Sequence, residues 1–467
     1  MGTVEIILIA VFVIGYLSIA LEHNLHIDKA APAIILAALL WSVYILTYPD
    51  KPSHSDPSHH SSAVETGHHE ADTGHDAIHH IIHHDLLGTL LGEIAGILFF
   101  LIGAMAIVEL IDAHSGFEVI TKRIKTQNPT SLIWIITLIS FFCSAVLDNL
   151  TTSIVMVSVL RKLIPDRAVR IYYLSLVVIA ANAGGAWTPI GDVTTTMLWI
   201  GEQISSVEIM KSLLIPSLVC AAVPALAMSI FYQKSLVINA NAEVEDFGHH
   251  DTHVSGSEKV LVFALGILGL IFVPIFKTVT HLPPFMGMIF SVGAIWIFTD
   301  ILHHNKSLTE KRALSMYVAL KKVDTPSVMF FLGILLAIGC LGQAGILHKM
   351  ANALDSSIGN VYLIALVIGV LSAIVDNVPL VAAAQKMYEL APEGASNFLT
   401  FGIDGIFWEY LAYCAGTGGS CLIIGSAAGV AIMGLERIDF IWYVRRISWL
   451  ALIGYLAGAA VYVLQPW

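Results

Sequence analysis

Two stretches carry carboxylates where carboxylates are costly. Ser144-Ala-Val-Leu-Asp148-Asn149-Leu-Thr151-Thr152 lies in an otherwise apolar run, and Ser372-Ala-Ile-Val-Asp376-Asn377-Val-Pro379 repeats it 228 positions later. A charged side chain at the bilayer centre costs about 3 kcal/mol or more unless it is paired, hydrated or bound to a cation. Each motif precedes a second apolar run that is interrupted by glycines. The first interruption reads Asn182-Ala-Gly184-Gly185-Ala-Trp187-Thr188-Pro189-Ile-Gly191-Asp192-Val-Thr194-Thr195, and the second Gly416-Thr417-Gly418-Gly419-Ser420. Glycine permits the break and Pro189 removes an amide donor, so carbonyl oxygens are released as ligands. Oxygen is what a hard cation such as Na⁺ requires. The candidate ligands are Asp148, Asn149, Thr151, Thr152, Thr188, Asp192, Thr194 and Thr195 in one half, with Asp376, Asn377, Thr417 and Ser420 in the other. Ser144, Ser372, Asn182, Gly184, Gly185, Pro189, Gly418 and Gly419 are expected to support the turns and breaks. In a low-dielectric pocket a carboxylate holds either a proton or a cation, and that competition is the minimum needed for exchange.

The elements that must position these groups follow from composition. The chain is 57% hydrophobic and only 12% charged, with a mean hydropathy of +0.79, which places it outside the soluble class. Its apolar runs are long enough to cross a hydrocarbon core of about 30 Å. The expectation is an all-α polytopic membrane protein with the lipid bilayer as partner. The net charge of -12 implies no nucleic acid. Five cysteines fall in apolar segments without disulfide or zinc spacing, and read as small packing residues. The first run, 4–21, reads as a retained helix rather than a signal peptide.

Spans are expected at about 4–21, 30–48, 86–111, 171–200 and 211–232, then at 259–276, 284–302, 327–341, 406–433 and 447–464. A loop at 49–85 carries ten of the 20 histidines. It reads as a solvated low-complexity segment, or alternatively as a metal- or pH-sensing one. Glu93 and Glu109, in the run 86–111, are as readily solvated helix-end carboxylates as functional ones. Phe99–Gly103 is matched by Phe330–Gly333, Asp148 by Asp376, and Gly184-Gly185 by Gly418-Gly419. Residues 1–240 and 241–467 therefore read as two repeats.

Lysines and arginines flank the Asp148 stretch on both sides (Lys122, Arg123 and Lys125, then Arg161, Lys162, Arg167 and Arg170). The positive-inside rule puts both ends in the cytoplasm, which makes a re-entrant hairpin with Asp148-Asn149 at its tip. The Asp376 stretch has acidic flanks (Asp355, then Glu389, Glu393 and Asp404) and is expected to enter from outside. The fold class is thus two inverted-topology repeats, each with a re-entrant hairpin and a broken helix, the arrangement of secondary transporters. Both termini and the histidine-rich loop fall on the outer side. Irregular backbone at membrane depth implies an internal polar cavity.

These motifs strongly resemble the NhaD-type sodium/proton antiporters of bacteria, in the wider superfamily of arsenite permeases and dicarboxylate carriers. The match takes in 22–29, 372–378 and 416–429 and covers almost the whole chain. The resemblance implies a homodimer in the bacterial cytoplasmic (inner) membrane, working by an elevator-like motion without cofactors or catalysis. Scaffold helices would lie at about 1–48 and 259–302, and transport elements at about 129–200 and 357–433. It also implies exchange of Na⁺ or Li⁺ for H⁺, with Na⁺ at the Asp148/Asp376 site. In the dicarboxylate carriers the hairpin tips carry Ser-Asn-Thr. Here Asp148 and Asp376 replace that serine, which repels an anion and favours a cation. Two positions depart from symmetry: Ser426 stands opposite Asp192, and Pro379 opposite Thr151. Two rivals are an anion carrier, disfavoured by the aspartates, and a membrane protease, for which neither His-Glu-x-x-His nor Gly-x-Gly-Asp is present.

Overall fold

The computed structural model describes residues 2–20, 25, 27–47, 87–121, 124, 126, 128–232 and 254–465. Every regular element among them is helical. Among the described residues, eight helices are long and apolar enough to cross a membrane. The number rises to ten if each of two bent pairs counts as one span: Ile346–Ser357 with Val361–Leu371 at 119°, and Phe440–Arg446 with Ser448–Leu464 at 53°. This is a multi-pass membrane protein. The histidine-rich loop, its expected side, and Lys122, Arg123 and Lys125 lie outside the described residues.

By packing, the chain forms two compact units. One comprises Met1–Ala95 and Pro326–Leu347. Its helices Thr3–Ala20, Ala30–Thr47 and most of Thr325–Gln343 are almost uniformly apolar. Packing there uses a small residue: a Cβ on Gly333 would strike the backbone of Ala33, so the two helices meet backbone to backbone. Beside that contact, Trp41 Nε1 donates to Leu336 O at 3.0 Å. Such bonds matter in lipid, where no water satisfies an indole N–H.

The other unit, Gly96–Thr325 with His348–Trp467, contains both aspartate motifs. Asn128 caps the helix Pro129–Leu147, accepting from Thr130 N at 3.0 Å and Ser131 N at 3.3 Å, with Pro129 in the first turn. One residue, Asp148, separates that helix from Asn149–Leu163. Its φ of 75° and ψ of 163° reverse the chain. Three hydrogen bonds fix the direction of both arms against the helix Arg167–Ala186. Tyr173 donates to Pro129 O (3.2 Å) and Arg170 to Ile164 O (2.8 Å), so both ends of the motif lie at the start of that helix. Ser144 Oγ donates to Ala181 O at 2.6 Å, so the turn lies deep along it. The Asp148 stretch is therefore a helical hairpin with both arms lying along that helix.

The Asp376 stretch has the same construction. Asn360 caps Val361–Leu371, and Asp376 caps Asn377–Met387. Tyr362 packs on Tyr410 and Tyr388 on Phe407 (ring centroids 5.5 and 4.8 Å), both at the start of Ile406–Gly418. Ser372 Oγ meanwhile reaches Ala415 O, far along that helix, at 3.1 Å. Each hairpin lies against a helix that breaks. Arg167–Ala186 stops at Trp187 and resumes as Val193–Ile200. Ile406–Gly418 passes through a short 3₁₀ turn and resumes as Ala427–Glu436.

Candidate functional site

Glycine lets hairpin and break touch. A Cβ on Gly184 would collide with the carbonyl of Phe141, and one on Gly418 with the carbonyl of Gly369. Gly185 and Gly419 likewise face the backbone of Gly191 and Gly425, the far sides of their own breaks. The pairs correspond: Phe141 and Gly369 differ by the same 228 positions as the two aspartates. Thr188 Oγ1 donates to Ala145 O at 2.6 Å and fastens the first break to the first hairpin. Pro189 O, without a helical amide to serve, accepts from Thr196 Oγ1 at 2.9 Å.

Around these contacts runs one chain of polar side chains. Asn149 Nδ2 donates to Asp192 Oδ2 at 2.7 Å and to Asn182 Oδ1 at 3.1 Å. Asn182 Nδ2 in turn donates to the hydroxyls of Ser420 and Ser426, each at 2.9 Å. Asn377 approaches Asp192 from the other side. Asp192 thus joins elements from both halves of the sequence, and it is only 1% exposed. Its second oxygen accepts from Thr194 N (2.9 Å) and Thr194 Oγ1 (2.7 Å), so Asp192 also caps Val193–Ile200.

Asp148 is half-buried at the hairpin turn. Its two oxygens accept from Thr151 N at 2.7 Å and Thr151 Oγ1 at 3.0 Å. Asp376 accepts from Val378 N at 3.4 Å. Asp192 lies near both Asp148 and Asp376. Neither Asp148 nor Asp192 forms an ion pair with a described basic residue. Thr151 also lines a cavity of about 160 Å³ shared with Glu109, Asp112, Glu118, Ser158 and Lys162. Glu109 thus shares a cavity with Thr151, whereas Glu93 is exposed on a segment of the other unit.

Not every oxygen named from the sequence faces the centre. Thr417 Oγ1 is spent on Tyr413 O of its own helix at 2.6 Å, and Thr195 Oγ1 on Ala186 O at 3.4 Å. Thr152 Oγ1 is buried with no hydrogen-bond partner among the described residues.

Ser426, absent from the ligand set drawn from the sequence, belongs to the network. It caps Ala427–Glu436 in nearly the backbone conformation of Asp192 (φ of -145° in both), and its position opposite Asp192 was the available signal. The outer ends of the broken helices are also held by charge. Glu436 ends one half-helix and receives Arg161 Nε at 2.6 Å and Arg170 Nη2 at 3.0 Å, while Arg167 binds its carbonyl at 2.8 Å. Lys277 donates to Trp199 O, in the last turn of the other half-helix, at 2.6 Å. Cations at helix C-termini oppose the negative end of the dipole.

At the centre, four helices end (Leu147, Ala186, Leu371, Gly418) and four begin (Asn149, Val193, Asn377, Ala427). Carbonyl ends and amide ends oppose one another, so the backbone contributes little net charge. Three of the four amide ends are capped by aspartates. The acidic side chains decide the sign of the site.

Comparison with known proteins places the chain among transporters. Residues 5–403 match the family CitMHS, described as citrate transporter. The chain is 44% identical to sodium/proton antiporter 1 of Arabidopsis thaliana over 464 residues, covering 98% of this chain and 72% of that protein. It is 42% identical to sodium/proton antiporter 2 of the same plant, covering 97% of each. It is 29% identical to the Na(+)/H(+) antiporter NhaD of Alkalimonas amylolytica, covering 98% of this chain and 90% of the relative. The chain is a member of the CitMHS transporter family, among relatives named sodium/proton antiporters, and it is a transport protein rather than an enzyme.

Proposed function

We propose that this protein exchanges Na⁺, or Li⁺, for H⁺ across a membrane. The observation that carries the reading is the group of three carboxylates, Asp148, Asp192 and Asp376, at the meeting of eight helix ends, two of them without a basic partner. A carboxylate there must hold a cation or a proton. Asp148 and Asp376 carry the exchanged ion and Asp192 joins them, with Asn149, Asn377 and Thr194 orienting its oxygens. The names of the relatives support Na⁺ and H⁺ as the pair.

The architecture proposed for this cycle is two inverted repeats. Ser144 to Ala181 O and Ser372 to Ala415 O support it, as do the matched glycine contacts of Gly184 and Gly418. The repeat boundary is placed between 240 and 241. The mechanism is an elevator-like movement of both hairpins and broken helices within a homodimer, in the bacterial cytoplasmic membrane that the NhaD relatives suggest. The higher identity to Arabidopsis proteins favours a plant-cell membrane as the second reading of location.

The test uses inside-out vesicles from a strain without its own antiporters, with a respiration-generated ΔpH followed by a fluorescent probe. Adding NaCl or LiCl collapses the gradient, and Asp148→Asn and Asp376→Asn abolish the response while the protein remains folded. The family description supplies the competing reading, a carrier of citrate or a related anion. Uptake of labelled citrate without any response to Na⁺ would establish that reading instead.

A further inference from the structure

Three side chains outside the aspartate site converge on one point. His114 follows the helix Leu87–Ala113, His303 follows Pro284–Leu302, and Glu258 lies in the first turn of Gly256–Thr280. Their ligand atoms all lie within 4.8 Å of one another, and all three residues are buried. His114 Nε2 is 3.1 Å from His303 Nε2, which is 2.9 Å from Glu258 Oε1. The two ring planes are nearly parallel, 17° apart, with centroids 5.0 Å apart.

Protons alone serve this arrangement poorly. A carbonyl can only accept, so the 2.7 Å contact of His114 Nδ1 with Leu110 O makes Nδ1 the donor. Burial favours the neutral ring, and Nε2 of His114 is then a bare lone pair. A single N–H on His303 Nε2 faces two acceptors, this lone pair and the Glu258 carboxylate. One hydrogen bond to either leaves the other acceptor against it. A metal ion would accept all three lone pairs at once. Bonds of about 2.0–2.1 Å to a tetrahedral centre separate the donors by about 3.3 Å, close to the 3.1 and 2.9 Å that separate His303 Nε2 from its two neighbours. The Nδ1–H bond to a backbone carbonyl is the outer-sphere contact that holds a ligating imidazole in its tautomer.

We propose that His114, His303 and Glu258 form a binding site for a late first-row divalent cation, with Zn²⁺ the best fit to two imidazoles and one carboxylate. Such an ion ties together the ends of three helices at a site separate from the aspartates. Lys306 is the group that competes with it, since its ammonium lies 2.5 Å from Glu258 Oε1. Its side chain is 19% exposed, so it has solvent to move into when a metal arrives.

The test must exclude the ten histidines between residues 54 and 84, because imidazole is a common ligand for such metals. Full-length protein with those ten replaced by asparagine is purified in detergent, stripped with a chelator and titrated with Co²⁺. The expected result is one Co²⁺ per chain with the intense visible bands of a tetrahedral site, displaced by Zn²⁺. His303→Ala and Glu258→Gln should each weaken binding by about 100-fold or more and erase the bands. Lys306→Met should tighten binding, a gain that a purely structural ion-pair cluster does not predict. Absence of stoichiometric Co²⁺ binding to the monodisperse loop variant, with the cluster itself intact, would overturn the proposal. Bands that survive His303→Ala would overturn it equally.

Discussion

Asn149 and Asp192 are joined by a 2.7 Å hydrogen bond that spans 43 residues of sequence and ties the first hairpin turn to the first helix break. The bond is charge-assisted, and such bonds contribute about 1.5–3 kcal/mol. Hairpin and break must therefore move as one body or lose it. Asn149→Ala is expected to lower exchange by roughly 10–100-fold, a factor that corresponds to such a bond. Vesicle ΔpH measurements at saturating Na⁺ check this. Full activity in the variant would show that the two elements are not coupled through Asn149.

Thr151 supplies two of the donors to Asp148, one from its amide and one from its hydroxyl. Only the hydroxyl can be removed by substitution. Thr151→Val is expected to change the apparent KM for Na⁺ by about tenfold through loss of one charged hydrogen bond, while Thr151→Ser stays near the parent. If both variants match the parent, the hydroxyl does not set the affinity of Asp148.

Glycine 184 and 418 offer a cleaner steric test. Each faces a backbone carbonyl that cannot move like the end of a flexible side chain. Gly184→Ala and Gly418→Ala should each cost about 1–3 kcal/mol or more of stability and displace the hairpin. Gly434 has open space at its Cβ position, so Gly434→Ala serves as the silent control. Thermal unfolding in detergent, read beside transport, measures both effects.

Glu436 is nearly inaccessible and is shared by Arg161 and Arg170. Breaking a buried pair by removing one partner costs about 3–5 kcal/mol, because the remaining charge is left without compensation. Glu436→Gln preserves shape and removes only charge. It is expected to lower the melting temperature clearly, and Glu436→Asp less so. An unchanged melting temperature would mean that water already compensates these arginines.

The sequence made the centre legible and the periphery much less so. A carboxylate in a long apolar run is costly, so Asp148 and Asp376 announce themselves, and the basic flanks of the first motif predict a hairpin. The positive-inside rule reads Arg161, Arg167 and Arg170 as markers of orientation, however, and does not reveal a partner some 270 residues away. Lys277, in the run Gly256–Thr280, likewise shows nothing in sequence of the helix end it caps. Hydroxyls were overcounted for a related reason. Thr417 carries the right atom, but its own helix offers Tyr413 O one turn back and takes the bond.

The opposition of four carbonyl ends to four amide ends has a consequence for descent. A backbone frame that is nearly neutral at its centre has no commitment to the sign of its cargo. In such a frame, the difference between gripping citrate and gripping a metal ion resides in a few side chains at the turns. One lineage can then redirect its traffic by point substitution while the scaffold stays as it was. A chain matched by a family described by an anion, with relatives named for cations, is what that economy of change would leave behind.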